Sequence, residues 1–76
     1  HSSLLPVGVI RIKKHFDVGD LIEVLDESGK CIARGISQYD SENLKLVLGK
    51  KTALVRQILG TEIPEELIHK NNLVVF

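Results

Sequence analysis

A chain of 76 residues, 43% hydrophobic and 26% charged, has the composition of one small globular domain. No run of about 18 apolar residues exists to span a membrane, and no charged-then-apolar leader opens the chain. The lone Cys31 excludes an internal disulfide and suits a reducing compartment, the cytoplasm by default.

Ten basic and ten acidic side chains leave no net charge, a weak start for a protein that neutralises phosphates. The charges are segregated, however. Arg11, Lys13, Lys14 and His15 stand together without an acid, and an acidic block follows at Asp17, Asp20, Glu23, Asp26 and Glu27. Lys45, Lys50, Lys51 and Arg56 form a second basic stretch before Glu62, Glu65 and Glu66. Segregation of this kind can build one basic face.

The first half of the chain reads as strands. Residues 7–14 alternate, with Ile10 and Ile12 on one face and Arg11 and Lys13 on the other, the period of a half-buried strand. The segment Phe16-Asp17-Val18-Gly19-Asp20 breaks that pattern, and Leu21-Ile22-Glu23-Val24-Leu25 resumes it in β-favouring residues. Asp26-Glu27-Ser28-Gly29 supplies a hairpin turn into a third strand at residues 30–37. Gly35 inside that strand predicts a bulge or a close backbone approach.

The second half turns helical. Ser41 is placed to cap a helix over residues 42–48, with Leu44, Val47 and Leu48 on its apolar face and Gly49 at its end. Thr52 can cap a second helix in which Val55, Ile58 and Leu59 repeat the spacing before Gly60. Pro64 suits the first position of a single turn through Glu65 and Glu66. A turn over residues 69–72 leads to an apolar last strand, Leu73-Val74-Val75-Phe76, expected to pair inside the sheet. The sum is one unit, mainly β with short helices, on a mostly antiparallel sheet closing toward a barrel.

Enzyme motifs fail on spacing. Gly49-Lys50-Lys51-Thr52 has the look of a phosphate-binding loop, but position 44 is Leu where that loop needs Gly, and Lys51 separates Lys50 from the hydroxyl residue. His1, His15, Cys31 and His69 lack metal-ligand spacing, and no Gly-x-Ser-x-Gly elbow exists. Phe16, Tyr39 and Phe76 are too few, and not interleaved with Arg and Gly, to form a base-stacking sheet.

Several segments, in order, resemble the PUA domains carried at the carboxyl end of glutamate 5-kinases. Ser3-Leu4-Leu5-Pro6-Val7-Gly8-Val9 is similar to the segment that opens their main sheet, and Phe16-Asp17-Val18-Gly19-Asp20 to their Phe-x-x-Gly-Asp turn. Ile32-Ala33-Arg34-Gly35, then Tyr39, Ser41 and Glu42, then Gly49-Lys50 and Ile58-Leu59-Gly60, and finally Ile68, His69, Asn72, Leu73 and Val74 complete the series. The motif positions that the resemblance marks as structural are Gly19, Asp20, Arg34, Gly35, Tyr39, Ser41, His69 and Asn72. Asn71 departs from the Asp usual before the last Asn.

The resemblance implies a PUA-like pseudo-barrel spanning residues 1–76 as a single domain fragment, without the strand and helix that usually open the fold. It implies no catalytic residue and no cofactor in this chain. ATP and magnesium would belong to an amino-acid-kinase domain upstream in the same polypeptide, which phosphorylates glutamate in proline synthesis. RNA is the general PUA partner, and Pro6, Gly8, Arg11, Lys13 and Lys14 are the positions that would line its groove. A missing opening strand would leave a sheet edge free, a route to a homodimer. The alternative is a free-standing PUA RNA-binding module of an RNA-modification system.

Overall fold

The computed structural model describes residues 2–76. Its sheet is organised around a hairpin. Strand β1 (Leu21–Leu25) pairs antiparallel with β2 (Cys31–Ile36), in register from Leu21 opposite Ile36 to Val24 opposite Ala33. The turn between them is made by Asp26. Its Oδ1 accepts from the Ser28 hydroxyl at 2.7 Å, the Ser28 amide at 2.9 Å and the Lys30 amide at 3.0 Å. Gly29 takes the positive φ of 89° that closes the turn, a conformation costly for any residue with a Cβ.

The expected bulge lies elsewhere than at Gly35. Leu25 pairs with Cys31 while Val24 pairs with Ala33, so the extra residue of β2 is Ile32. At Gly35 the other expectation holds, a close backbone approach. Strand β3 (Leu73–Val75) crosses there with Leu73 opposite Gly35, and a Cβ on Gly35 would come within 2.5 Å of the Asn72 carbonyl oxygen. The strand order is β1-β2-β3, so β3 lies at an edge and not inside the sheet, and the three strands form an open layer.

Residues 7–14 form no strand. Pro6–Gly8 is a 3₁₀ turn, and Ile10 to His15 make no backbone–backbone hydrogen bond among the described residues. The period follows from that. Val9, Ile12 and Phe16 pack against the core, while Ile10, which alternation would turn inward with Ile12, is 74% exposed. Period-2 burial requires a ladder to hold the pleat, and no described segment provides one here. The start of the chain is tied down instead through Leu4, which donates to the Ile68 carbonyl at 3.0 Å and accepts from the Leu67 amide at 2.8 Å.

Helix α1 (Ser41–Leu46) begins one residue earlier than expected. Asp40 is the cap, accepting from the Asn43 amide at 2.7 Å, and Ser41 is turned inward. Helix α2 (Thr52–Leu59) starts with Thr52 inside it; Lys51 precedes it and makes no capping bond. Gly60 closes α2 with φ 89° and donates to the Arg56 carbonyl. No helical turn forms at Pro64, because the backbone there is used differently: the Pro64 carbonyl accepts the Tyr39 hydroxyl. The core gathers Ala33 and Leu73 from the sheet, Leu44 and Val47 from α1 and the turn after it, Val55 from α2, and Tyr39, Leu67 and Ile68 from the connections.

Candidate nucleic-acid interface

Pro6 sits beneath the site, not in it. It is buried, and its carbonyl accepts from the Val9 amide at 3.0 Å and the Gly49 amide at 3.1 Å, so the loop is fastened to the turn after α1. This fixes Gly8 at the surface, where an added Cβ would meet only Leu4 Cδ1 at 3.9 Å. After Gly8 the chain forms neither helix nor strand, and Arg11, Lys13 and Lys14 are all exposed and take part in no ion pair among the described residues. These three cations and Gly8 border one groove of about 1000 Å³.

The opposite wall of that groove is β1 and its turn, with Glu23, Asp26 and Glu27. Asp20, Glu23, Asp26 and Glu27 of the acidic block thus border the same groove as the basic run, and Asp17 does not. A polyanion lying in the groove would gain from one wall and be repelled by the other, whereas one lying along the outer side of residues 11–14 would meet the cations alone. The hairpin turn after β1 creates this opposition. Charge segregation along the sequence carried no sign of it.

The remaining motif residues lie in the framework. Gly19, at φ 90°, donates to the Ser37 carbonyl at 2.8 Å, and Asp20 Oδ2 accepts from the Asp17 amide at 2.9 Å. Arg34 lies 3.5 Å from the Glu23 carboxylate and 5.2 Å from the centroid of the Phe76 ring. His69 Nδ1 accepts from the Asn71 amide at 3.1 Å, and the His69 carbonyl accepts from the Asn72 amide at 2.8 Å. Burial, with the Glu66 carboxylate next in effect, pushes the Tyr39 phenol above its ordinary value.

One cluster has the outline of a hydrolase triad. Ser41 Oγ lies 3.1 Å from His15 Nδ1, and His15 Nε2 lies 3.4 Å from Asp17 Oδ1. The serine has no exposed surface, and its oxygen already accepts the Phe16 amide at 3.1 Å. A nucleophile must reach an acyl carbon, and this hydroxyl is enclosed between the Phe16 amide and the His15 ring. The trio is a clip that holds residues 15–17 against α1. His1 lies outside the described residues. Among the described residues no group of three or more His, Cys, Asp or Glu is placed to hold a metal ion, and no helix is long and apolar enough to cross a membrane.

Comparison with known proteins agrees with this architecture. A family model described as the PUA domain matches residues 1–59. The chain is 49% identical over 74 residues to the glutamate 5-kinase of Dictyoglomus thermophilum, a match covering 97% of this chain and 20% of that protein. It is 44% identical over 74 residues to the glutamate 5-kinase of Caldanaerobacter subterraneus subsp. tengcongensis, again 97% of this chain and 20% of the relative. With that of Thermobifida fusca it shares 39% over 74 residues, 97% and 19% of the two chains. The chain thus spans about a fifth of the length of the curated relatives it matches. By the family match over most of its length, this chain belongs to the PUA domain family.

Proposed function

We propose that residues 1–76 form a single accessory, non-catalytic unit of a glutamate 5-kinase, acting in the assembly or regulation of the enzyme in the cytoplasm. The observation that carries this reading is the 49% identity to a glutamate 5-kinase across 97% of the chain. Phosphoryl transfer to glutamate, with its ATP and magnesium, belongs to an amino-acid-kinase domain upstream in the same polypeptide. The residues present here agree with that division, since Gly49-Lys50-Lys51-Thr52 lacks the glycine spacing of a phosphate-binding loop. The test is to remove this unit from the whole polypeptide and to measure phosphotransfer and subunit mass. Turnover is expected to persist while assembly or effector response changes. Abolished turnover in a correctly folded remainder would overturn the reading.

A second reading, RNA binding, is favoured by the unpaired exposure of Arg11, Lys13 and Lys14 beside Gly8 and the Pro6-anchored loop. Structured RNA would lie along their outer side, clear of Glu23, Asp26 and Glu27. Binding is then expected at low salt, to weaken steeply as salt rises, and to lose about one unit of that salt slope on Lys13→Ala. Equal binding by the wild type and by a chain lacking all three cations would reject it.

A further inference from the structure

One carbonyl oxygen, that of the buried Pro6, joins the two basic stretches of the chain. It accepts from the Val9 amide at 3.0 Å and from the Gly49 amide at 3.1 Å. Val9 stands just before the run through Arg11, Lys13 and Lys14, and Gly49 directly before Lys50 and Lys51. Stretches far apart in sequence thus leave from one point of the fold, the Pro6–Gly8 turn. The side chains of Lys50 and Lys51 take part in no ion pair among the described residues. The other cations of the second stretch are engaged: Lys45 lies 3.5 Å from Glu42, and Arg56 lies 2.6 Å from Glu65.

Neither lysine borders the groove whose far wall is acidic. They stand outside it, where a polyanion meets no opposing wall of carboxylates. Gly8 and Gly49 are both exposed, and an added Cβ on Gly49 would meet nothing within 4 Å, so the surface between the two stretches is open to close approach. Helix α2 begins directly after Lys51 with no capping side chain and no acid in its first turn. The positive end of its dipole therefore adds to the field of the two lysines. A single small anion can use only one of the two stretches. A phosphodiester strand carries a charge at every nucleotide and can use both at once. Interfaces with nucleic acid are polar and positive, whereas those with protein gather around an apolar centre.

We propose that Lys50 and Lys51 extend the run of Arg11, Lys13 and Lys14 across the Pro6–Gly8 turn into one track for the phosphate backbone of an RNA strand. This rests on the RNA-binding reading and adds to it two phosphate-contacting residues and a path, over the exposed turn and clear of the groove. Lysines used in this way hold phosphates and not base edges, so the track positions RNA without reading its sequence.

The test is fluorescence anisotropy of a labelled RNA stem-loop with a single-stranded tail, titrated with the 76-residue chain over a series of salt concentrations. Lys50→Gln combined with Lys51→Gln is expected to weaken binding about tenfold at low salt and to reduce the salt slope by about two units. Lys30→Gln combined with Lys45→Gln removes the same charge from the β1–β2 turn and from α1, and should leave the slope unchanged. Lys51→Gln alone, at an exposed position, decides the matter if the double variant fails to fold by circular dichroism, and should reduce the slope by about one unit. Absence of binding by the wild type overturns the RNA reading and the track together. Binding that Lys13→Ala weakens, while the Lys50 and Lys51 variants behave like the Lys30 and Lys45 control, overturns the track alone. Displacement of the RNA by polyglutamate as readily as by unlabelled RNA would make the partner an acidic polypeptide and overturn the phosphodiester assignment.

Discussion

The Asn72 carbonyl oxygen occupies the space a side chain on Gly35 would need: an added Cβ would lie 2.5 Å from it, and 2.6 Å from Ile68 Cγ2. Neither neighbour can easily retreat. The Asn72 carbonyl leads directly into the β2–β3 pairing, where Gly35 is opposite Leu73, and Ile68 is fully buried. Gly35→Ala is therefore expected to destabilise the chain by about 1–3 kcal/mol through overpacking. Urea denaturation measures this directly, and a variant as stable as the wild type would contradict the contact.

Ser41 carries the clip between α1 and residues 15–17. Ser41→Ala removes the acceptor of the Phe16 amide and the partner of His15 Nδ1 together. Leaving that amide without a partner costs about 1–3 kcal/mol. Thermal unfolding should shift downward, and amide exchange at Phe16 should accelerate more than at the centre of β2. Equal exchange changes at both places would argue for a general effect in place of a local one.

Tyr39 gives an alkaline limit to stability. Its hydroxyl donates to the Pro64 carbonyl at 2.7 Å, and burial raises its pKa above the ordinary 10.0. The folded state thus holds the phenolic proton more tightly than the unfolded chain does. The resulting stability is fully present below pH 10.0 and is lost as pH rises through the higher folded value. Tyr39 is the only tyrosine, so absorbance of its phenolate reports this one group. Tyr39→Phe should cost about 1–2 kcal/mol at neutral pH and remove this source of alkaline destabilisation.

Asp26 acts in the opposite pH range and only locally. Its carboxyl is held below the ordinary 3.8, first by the Ser28 hydroxyl and then by the Lys30 amide. Its support for the hairpin is present above pH 3.8 and fades as pH falls through the lower folded value. Because the group lies at the surface, the expected signature is faster amide exchange at Ser28 and Lys30 in acid, reproduced at neutral pH by Asp26→Asn. Unchanged exchange at those two amides would count against this role.

Local patterning was enough to reveal the hairpin. Leu21–Leu25 follows from its β-favouring run, and the turn from Asp26 and Gly29, because turn chemistry and strand alternation are properties of neighbours in sequence. Gly60 likewise announced the end of α2, and Val55 and Leu59 its inner face, whereas Ile58, expected beside them, is 43% exposed. The ordered family words from Ser3 to Val74 identified the domain, since each records a turn or contact in this fold.

Other features depended on which distant segments meet. Residues 7–14 alternate like a strand but have no ladder, and pairing is a tertiary fact that alternation cannot supply. Ser41 has the chemistry of a cap, yet Asp40 takes that role because Ser41 is drawn inward by His15 and the Phe16 amide. Pro64 has the chemistry of a helix start, but its carbonyl is taken by Tyr39, 25 residues away. The groove shows the same division most clearly. The sequence by itself determined that Arg11, Lys13 and Lys14 stand together, because residues this close along a chain stay close in space. Only the tertiary structure decided that Glu23, Asp26 and Glu27 face them, because the distance between charges is set by how the hairpin packs and not by their separation along the chain.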